Sequence, residues 1–118
     1  MQTIEREWVT ESGLSARVII IDRTKDFTEK KLSMIMPDFT NTLKYRCGYV
    51  KVDRENKNYK LSYDDLEDVY VHGGVTFSDF IDGEYWFGFD CAHYNDSFEI
   101  QSLEYCVYEC ENLAKQLL

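Results

Sequence analysis

The hydrophobic pattern of this chain changes period once, and that change constrains the fold more than any other feature. Before Ser102 the apolar residues form short β-rich runs separated by turn residues. After Ser102 they recur every three or four positions, as on one face of an amphipathic helix, at Leu103, Cys106, Val107, Cys110, Leu113, Ala114 and Leu117. The pattern predicts an α+β fold, with an antiparallel β-sheet of about six strands and a C-terminal amphipathic helix packed on it. Asp96 with Glu99 would cap an earlier first turn of that helix.

Six runs upstream of the helix are typical of strands. IEREWVTES and LSARVIIID flank a Ser-Gly turn and predict a hairpin. KLSMIMP and TLKYRCGYVKV lie on either side of the turn PDFTN, which contains the only proline. DVYVHGGVTFSDF and IDGEYWFGFDCA meet at an Asp-Gly turn, which predicts a second hairpin.

The length bounds the organisation of the chain. With 118 residues, of which 44% are apolar, there is enough material for one core and too little for two, so residues 1–118 are predicted to form a single domain. No apolar run approaches the roughly 18 residues of a membrane span, and the N-terminus is charged. We therefore expect a cytoplasmic protein that does not enter a membrane.

The four cysteines are expected to be free thiols, because no signal peptide precedes them and the cytosol is reducing. They are Cys47, Cys91, Cys106 and Cys110. Cys106 and Cys110 are four residues apart on the predicted helix, a spacing found in half of a zinc site, but no second pair completes it. Burial as small apolar residues is the favoured interpretation.

The charge is distributed unevenly. The net charge is -9, which disfavours binding to nucleic acid, because that binding depends on Lys and Arg neutralising phosphates. Residues 1–60 contain 12 of the 13 basic residues, whereas residues 61–118 contain one lysine and 13 acids. An anionic ligand would therefore be bound by the first half or by backbone amides.

The segment GFDCAH brings candidate reactive groups close together in sequence. In a continuous strand Cys91 and His93 would share a face, the arrangement of a thiolate and imidazole pair. Acidic surroundings disfavour this reading because they raise the pKa of a thiol. The same surroundings favour a cation, so a metal site formed by His72, Asp90, His93 and Asp96 is an alternative.

The segment VHGGVTF contains two adjacent glycines between possible hydrogen-bond donors. Gly73 and Gly74 would let the backbone approach a ligand or form an anion-binding nest, flanked by His72 and Thr76. The alternative is an ordinary β-bulge within a strand. No phosphate-loop motif is present.

Aromatic rings and arginines supply the other candidate ligand contacts. Most of the rings are expected in the core or in a subunit interface, and a few, Phe77 among them, would stack on a base or sugar. Arg23, Arg46 and Arg54 are the candidates for contacts with phosphate, and each alone is more often a solvated surface charge.

Four blocks in order resemble a known family. RCGYV at 46–50, VHGGVTF at 71–77, GFDCAH at 88–93 and a C-terminal helix ending in LAKQL are similar to blocks in small proteins encoded by phages and prophages. On these blocks the chain resembles the first type of Thoeris anti-defence protein. Proteins of that family bind cyclic ADP-ribose signals made by bacterial TIR proteins and hold them without cleaving them.

The resemblance implies a protein that is not an enzyme and needs no cofactor or metal. It implies a cyclic nucleotide as the small-molecule partner, a homo-oligomer with ligand recesses at subunit interfaces, and action in the bacterial cytoplasm during phage infection. Asp90 and His93 would then hold the shape of a pocket. No arginine follows Arg54, so the phosphates would be bound by the N-terminal half.

Two other function classes remain open. The first is a metal-dependent hydrolase that uses the two histidines with Asp90 and Asp96. The second is an acidic decoy that blocks a host defence protein through charge complementarity.

Overall fold

A five-stranded antiparallel sheet with one helix packed on it forms the described part of the chain. The structure, a computed structural model, describes residues 1–24 and 43–118. The strands are β1 (Gln2–Val9), β2 (Ser15–Asp22), β3 (Lys44–Val52), β4 (Phe77–Ile81) and β5 (Glu84–Asp90), and the helix is α1 (Leu103–Gln116). The strand order is β1-β2-β3-β5-β4. This confirms the predicted α+β fold; the predicted strand KLSMIMP and its turn lie outside the described residues.

Both predicted hairpins are present. β1 pairs with β2 across the Ser-Gly turn, and β4 pairs with β5 across Asp82 and Gly83. Asp82 and Gly83 have φ values of 52° and 81°, the pair of positive angles that a type I′ turn requires. A β-bulge interrupts β1 between Ile4 and Arg6.

The core lies between α1 and one face of the sheet, which we call the helix face. The C-terminal helix is confirmed, and Ser102 is its N-cap, its side chain accepting a hydrogen bond from the N–H of Tyr105. Asp96 and Glu99 do not form the earlier cap, because Asp96 is hydrogen-bonded to histidines instead. Fully or nearly fully buried core residues are Ala16, Val18, Val50, Phe87, Phe89, Cys106, Cys110, Leu113 and Leu117.

The opposite face of the sheet, the second face, has a separate apolar cluster. Ile19, Ile21 and Cys47 are buried there, with Tyr45 and Tyr49 packed against them. Strand alternation explains the split, because neighbouring residues of β2 and β3 point to opposite faces.

The predicted strand over DVYVHGGVTFSDF is correct only at its end. β4 begins at Phe77, and the double glycine lies in a turn closed by the N–H of Gly74 and the carbonyl of Val71 (2.8 Å). Side chains of α1 hold this segment away from the sheet ladder, since Gln116 exchanges hydrogen bonds with the backbone of Tyr70. The two glycines therefore lie in a turn and do not form a bulge inside a strand.

Candidate functional site

Two loops meet beside the first turns of α1. The loop of residues 66–76 leads into β4, and the loop of residues 91–101 connects β5 to α1. The N–H of His72 donates to Glu109 of α1 (2.8 Å), which fixes the first loop. The second loop is closed by the N–H of Asp96, which donates to the carbonyl of His93 (2.9 Å).

The two loops bring both histidines of the chain to one carboxylate. Nε2 of His72 lies 2.9 Å from each carboxylate oxygen of Asp96. Nδ1 of His93 lies 3.3 Å from Oδ2 of Asp96, and the N–H of His93 donates to the same oxygen (2.9 Å). Asp96 is the least accessible of the three side chains, 8% exposed, against 15% for His72 and 39% for His93.

The other nitrogen of His72 contacts Tyr105 of α1. Nδ1 of His72 and the hydroxyl of Tyr105 are 2.6 Å apart, and the two rings meet edge to face. Burial, and then the nearby charge of Glu109, raise the pKa of Tyr105, so the hydroxyl keeps its proton at neutral pH. The contact fixes the orientation of the His72 ring.

The charge state of Asp96 follows from two opposing effects. Burial raises the pKa of this carboxyl, but hydrogen bonds from His72 and from the backbone and side chain of His93 outweigh burial. The net result is a pKa below its ordinary value, so Asp96 is a carboxylate at neutral pH.

The ring of His93 leaves no room for a side chain at position 73. The φ of Gly73 is 67°, and a Cβ on Gly73 would lie 2.2 Å from Cε1 of His93. The group that approaches this backbone belongs to the chain itself, and approach of a ligand to the two glycines stays a prediction. The N–H of Gly74 is hydrogen-bonded to Val71, so an anion would have to compete with that bond.

Asp90 and Thr76 extend the polar cluster toward the sheet. The hydroxyl of Thr76 donates to Oδ2 of Asp90 (2.9 Å), and Oδ1 of Asp90 lies 3.6 Å from Nδ1 of His93. Phe77 follows Thr76 and contacts Tyr49 on the second face, with ring centroids 5.3 Å apart at 90°.

Five of the ten residues predicted to bind the ligand are thus linked by contacts: His72, Gly73, Thr76, Asp90 and His93. Gly74 and Phe77 are adjacent to them in sequence, and Phe77 contacts Tyr49 on the second face.

The three predicted arginines lie elsewhere. Arg46 is buried on the helix face, and its guanidinium donates to Glu5 and to two backbone carbonyls. Arg23 lies beside the ring of Tyr45, 5.9 Å from its centroid. Arg54 lines a groove of about 360 Å³ near the end of β3. No test of ligand binding bears on any of the ten residues, so their role stays a prediction.

The thiols do not pair with a histidine. β5 ends at Asp90, which breaks the strand alternation that would have placed Cys91 beside His93. Sγ of Cys91 instead lies 3.7 Å from Sγ of Cys106 in the core. That contact, followed by burial, raises the pKa of Cys91. Burial also raises the pKa of Cys110, and that of Cys47 to about 12.

Two residues at these sites, Tyr105 and Arg17, were not predicted from the sequence. Tyr105 belongs to the partly buried face of α1, and nothing in its helical spacing distinguishes a hydroxyl that orients a histidine from a ring that fills the core. Arg17 stacks over Trp86 at 4.4 Å on the second face and lines a groove there. Strand alternation gives the side on which Arg17 lies, but the groove depends on the order of the strands.

The lining of that groove includes Phe77, one of the ten predicted ligand residues. The groove has a volume of about 470 Å³, and its lining consists of Gln2, Ile4, Arg17, Ile19, Tyr49, Phe77, Asp79, Phe80 and Ile81. It crosses the sheet from β1 to β4 on the second face.

Comparison with protein-family models, with curated proteins and with solved structures finds no match for the chain. Among the residues that the structure describes, no helix has the length and apolarity to cross a membrane.

Proposed function

We propose that the protein binds a signalling nucleotide of the cyclic ADP-ribose type and sequesters it without cleaving it, as the family resemblance implies. In this role it would suppress TIR-based immunity of the host bacterium. The observation that carries the proposal is the groove on the second face, where an aromatic pair and a guanidinium line one recess.

The size and lining of the groove suit a nucleotide. Pockets for small molecules have volumes of about 300–1,000 Å³, and this groove falls within that range at about 470 Å³. Phe77 and Tyr49 offer ring faces and edges to a base, which in proteins stacks on aromatic side chains. Ile4 and Ile19 supply apolar surface for the sugar.

The groove also offers positive charge for phosphate. Nε of Arg17 is 2.7 Å from Glu7, whose side chain is 53% exposed. An ion pair this accessible contributes little to stability, on the order of 1 kcal/mol or less, so a phosphate can displace Glu7. Arginine matches phosphate with two parallel hydrogen bonds.

The described residues also favour retention over cleavage. A nucleophilic thiol needs a lowered pKa, whereas the pKa values of Cys47, Cys91 and Cys110 are raised. His72 is hydrogen-bonded on both ring nitrogens. Among the described residues, these three thiols and the His72 ring therefore make structural contacts.

We propose further that a second copy of the chain completes the site. Ile4 is 54% exposed in the lining of the groove. Contact between copies would cover this side chain and enclose the ligand, in agreement with the homo-oligomer that the resemblance implies. The measurement is the mass in solution by light scattering, and a monomer with full ligand affinity contradicts this part of the proposal.

Ligand recovery tests the proposed function. The purified protein is mixed with a cyclic ADP-ribose isomer, unbound ligand is removed, and the protein is denatured by heat. We expect the ligand to be released intact. Recovery of a cleaved product would favour a hydrolase, and absence of bound nucleotide together with salt-sensitive capture of a protein would favour the decoy.

A pair of variants tests the groove itself. Phe77→Ala removes a ring from the groove, and loss of one stacking contact weakens binding by about 1–3 kcal/mol, or about 5-fold to 150-fold. Tyr108→Ala is the matched control, because Tyr108 is an exposed ring on α1 outside the groove. Equal affinity of the two variants contradicts the assignment of the groove.

A further inference from the structure

We infer that His72, His93 and Asp96 form a binding site for a divalent transition-metal ion of the zinc class. One ligand atom from each residue lies within 4.8 Å of the other two. The chain contains two histidines in all, and both contribute to the site although 21 positions separate them in sequence. The inference does not depend on the nucleotide, and it goes beyond the family resemblance, which implies no metal.

The distances are close to those of a coordinated ion. Zinc bonds of about 2.0–2.2 Å at tetrahedral angles place ligand atoms about 3.3–3.6 Å apart. Oδ2 of Asp96 lies 3.3 Å from Nδ1 of His93 and 2.9 Å from Nε2 of His72. An ion would need shifts of a few tenths of an ångström between Asp96 and each histidine nitrogen. The two histidine nitrogens, which lie within 4.8 Å of each other, would also move closer together.

The donor set and the local charge match the ion. Imidazole nitrogen with carboxylate oxygen suits zinc and its neighbours in the first transition row. Oδ1 of Asp90 lies 3.6 Å from Nδ1 of His93, so we assign the fourth position to Asp90 or to a water molecule. The surrounding half of the chain, with 13 acids and one lysine, attracts a cation.

A supporting shell holds the ligands in place. Histidines that bind metals commonly hydrogen-bond through the other ring nitrogen, which fixes the ring and its tautomer. Tyr105 contacts Nδ1 of His72 in this way. The backbone N–H of His72 is held by Glu109, and that of His93 by Asp96. The absent side chain of Gly73 makes room for the His93 ring.

Zinc titration of the chelator-treated full chain tests the site. We expect one Zn²⁺ per chain by calorimetry and a rise in the thermal midpoint, because a ligand that binds the folded state stabilises it. His93→Ala should weaken binding at least 10-fold. Because the His93 ring is partly exposed, we expect this variant to fold. Glu55→Gln, which changes an exposed carboxylate away from both the metal site and the groove, should leave the affinity unchanged.

Two further readouts make the result specific. Bound Co²⁺ should show the visible absorption of nitrogen and oxygen ligation without the near-ultraviolet band of thiolate ligation. Tyr105→Phe should keep the metal with about 10-fold to 100-fold weaker affinity, as expected for loss of a supporting hydrogen bond.

Three outcomes overturn the inference. They are no Zn²⁺ binding at millimolar concentration, binding that His93→Ala does not weaken, and a Co²⁺ spectrum dominated by thiolate. Each outcome is read without nucleotide present, so failure of the metal site leaves the proposed nucleotide binding to its own test. Metal binding together with nucleotide cleavage would retain this site and reject sequestration.

Discussion

Gly73 and Gly74 share a left-handed backbone but have different surroundings. Their φ values are 67° and 84°, and a Cβ meets the His93 ring at Gly73 but nothing within 4 Å at Gly74. An L-residue with such a φ costs about 1 kcal/mol at either position. Only at Gly73 would the added Cβ also collide with a neighbouring ring, that of His93.

We expect Gly73→Ala to lower the free energy of unfolding by about 1–3 kcal/mol more than Gly74→Ala, because only the first forces a collision. Urea denaturation measures both. Adding His93→Ala to Gly73→Ala removes the ring and should recover most of the difference, which a double-mutant cycle quantifies. Equal losses for the two glycine variants would show that the ring does not constrain Gly73.

Arg46 is a second residue whose role depends on its surroundings. Its guanidinium binds Glu5 through Nε (2.7 Å), donates to the carbonyls of Phe98 and Gln101, and stacks on the Phe98 ring at 3.9 Å. The β-bulge in β1 carries Glu5. The side chain of Arg46 is 9% exposed, so the contacts act in a poorly hydrated place.

Replacing Arg46 with alanine should cost about 3–5 kcal/mol of unfolding free energy, because Glu5 is left without its partner. The control is Arg17→Ala, which breaks a more exposed pair with Glu7 and the stacking on Trp86 and should cost about 1–2 kcal/mol. Chemical denaturation distinguishes them. A loss below about 1 kcal/mol for Arg46→Ala would return this arginine to the candidates for direct phosphate contact.

At the scale of elements, α1 packs directly against the sheet at Gly48 of β3. A Cβ there would lie 2.4 Å from the Phe89 ring and 2.7 Å from Sγ of Cys110. The glycine of the RCGYV block therefore has a packing reason: it lets the helix and the sheet close over a shared core.

Gly48→Ala should separate α1 from the sheet and lower the free energy of unfolding by about 3 kcal/mol, at the upper end of overpacking effects. Gly13→Ala is the control, since its Cβ meets nothing within 4 Å, and only its positive φ costs about 1 kcal/mol. Thermal or urea unfolding tests the pair. A cost at Gly48 no greater than at Gly13 would contradict the close packing.

Local pattern predicted most elements, and tertiary contacts explain the failures. Each hairpin and α1 has its signal within its own residues: alternation, a Gly-containing turn, or the spacing of three and four. The stretch from Val69 to Val75 also alternates, yet it is not a strand, because side chains of Asn112 and Gln116 bind the backbone of Tyr70. Those partners lie more than 40 positions away, beyond the reach of a local pattern.

At the scale of the whole molecule, the four cysteines report on global unfolding. All four are buried, at 6% exposure or less. Burial raises the pKa of Cys47 and of Cys110, and contact with Cys106 does so for Cys91. A thiol reagent attacks the thiolate, so the folded protein is protected both by access and by ionisation.

We expect native protein to react slowly with a thiol reagent at pH 8 and to expose four reactive thiols together on unfolding. Urea should accelerate labelling in step with the fraction unfolded, as measured by circular dichroism on the same sample. The unfolded protein is the control for complete labelling. Rapid reaction of a single thiol in native buffer would show a local opening or an activated cysteine.

The sequence by itself determined the fold class, both hairpins, the helix and most of the residues around the candidate site. These follow from local periodicity and turn chemistry, which act within a few residues of the chain. The tertiary structure alone decided that His72 and His93 share Asp96, that Tyr105 orients one ring, and that Arg46 pairs with Glu5. The physical reason is separation along the chain: these contacts join residues on different loops and strands, and only the order of strands in the sheet and the packing of α1 bring them together.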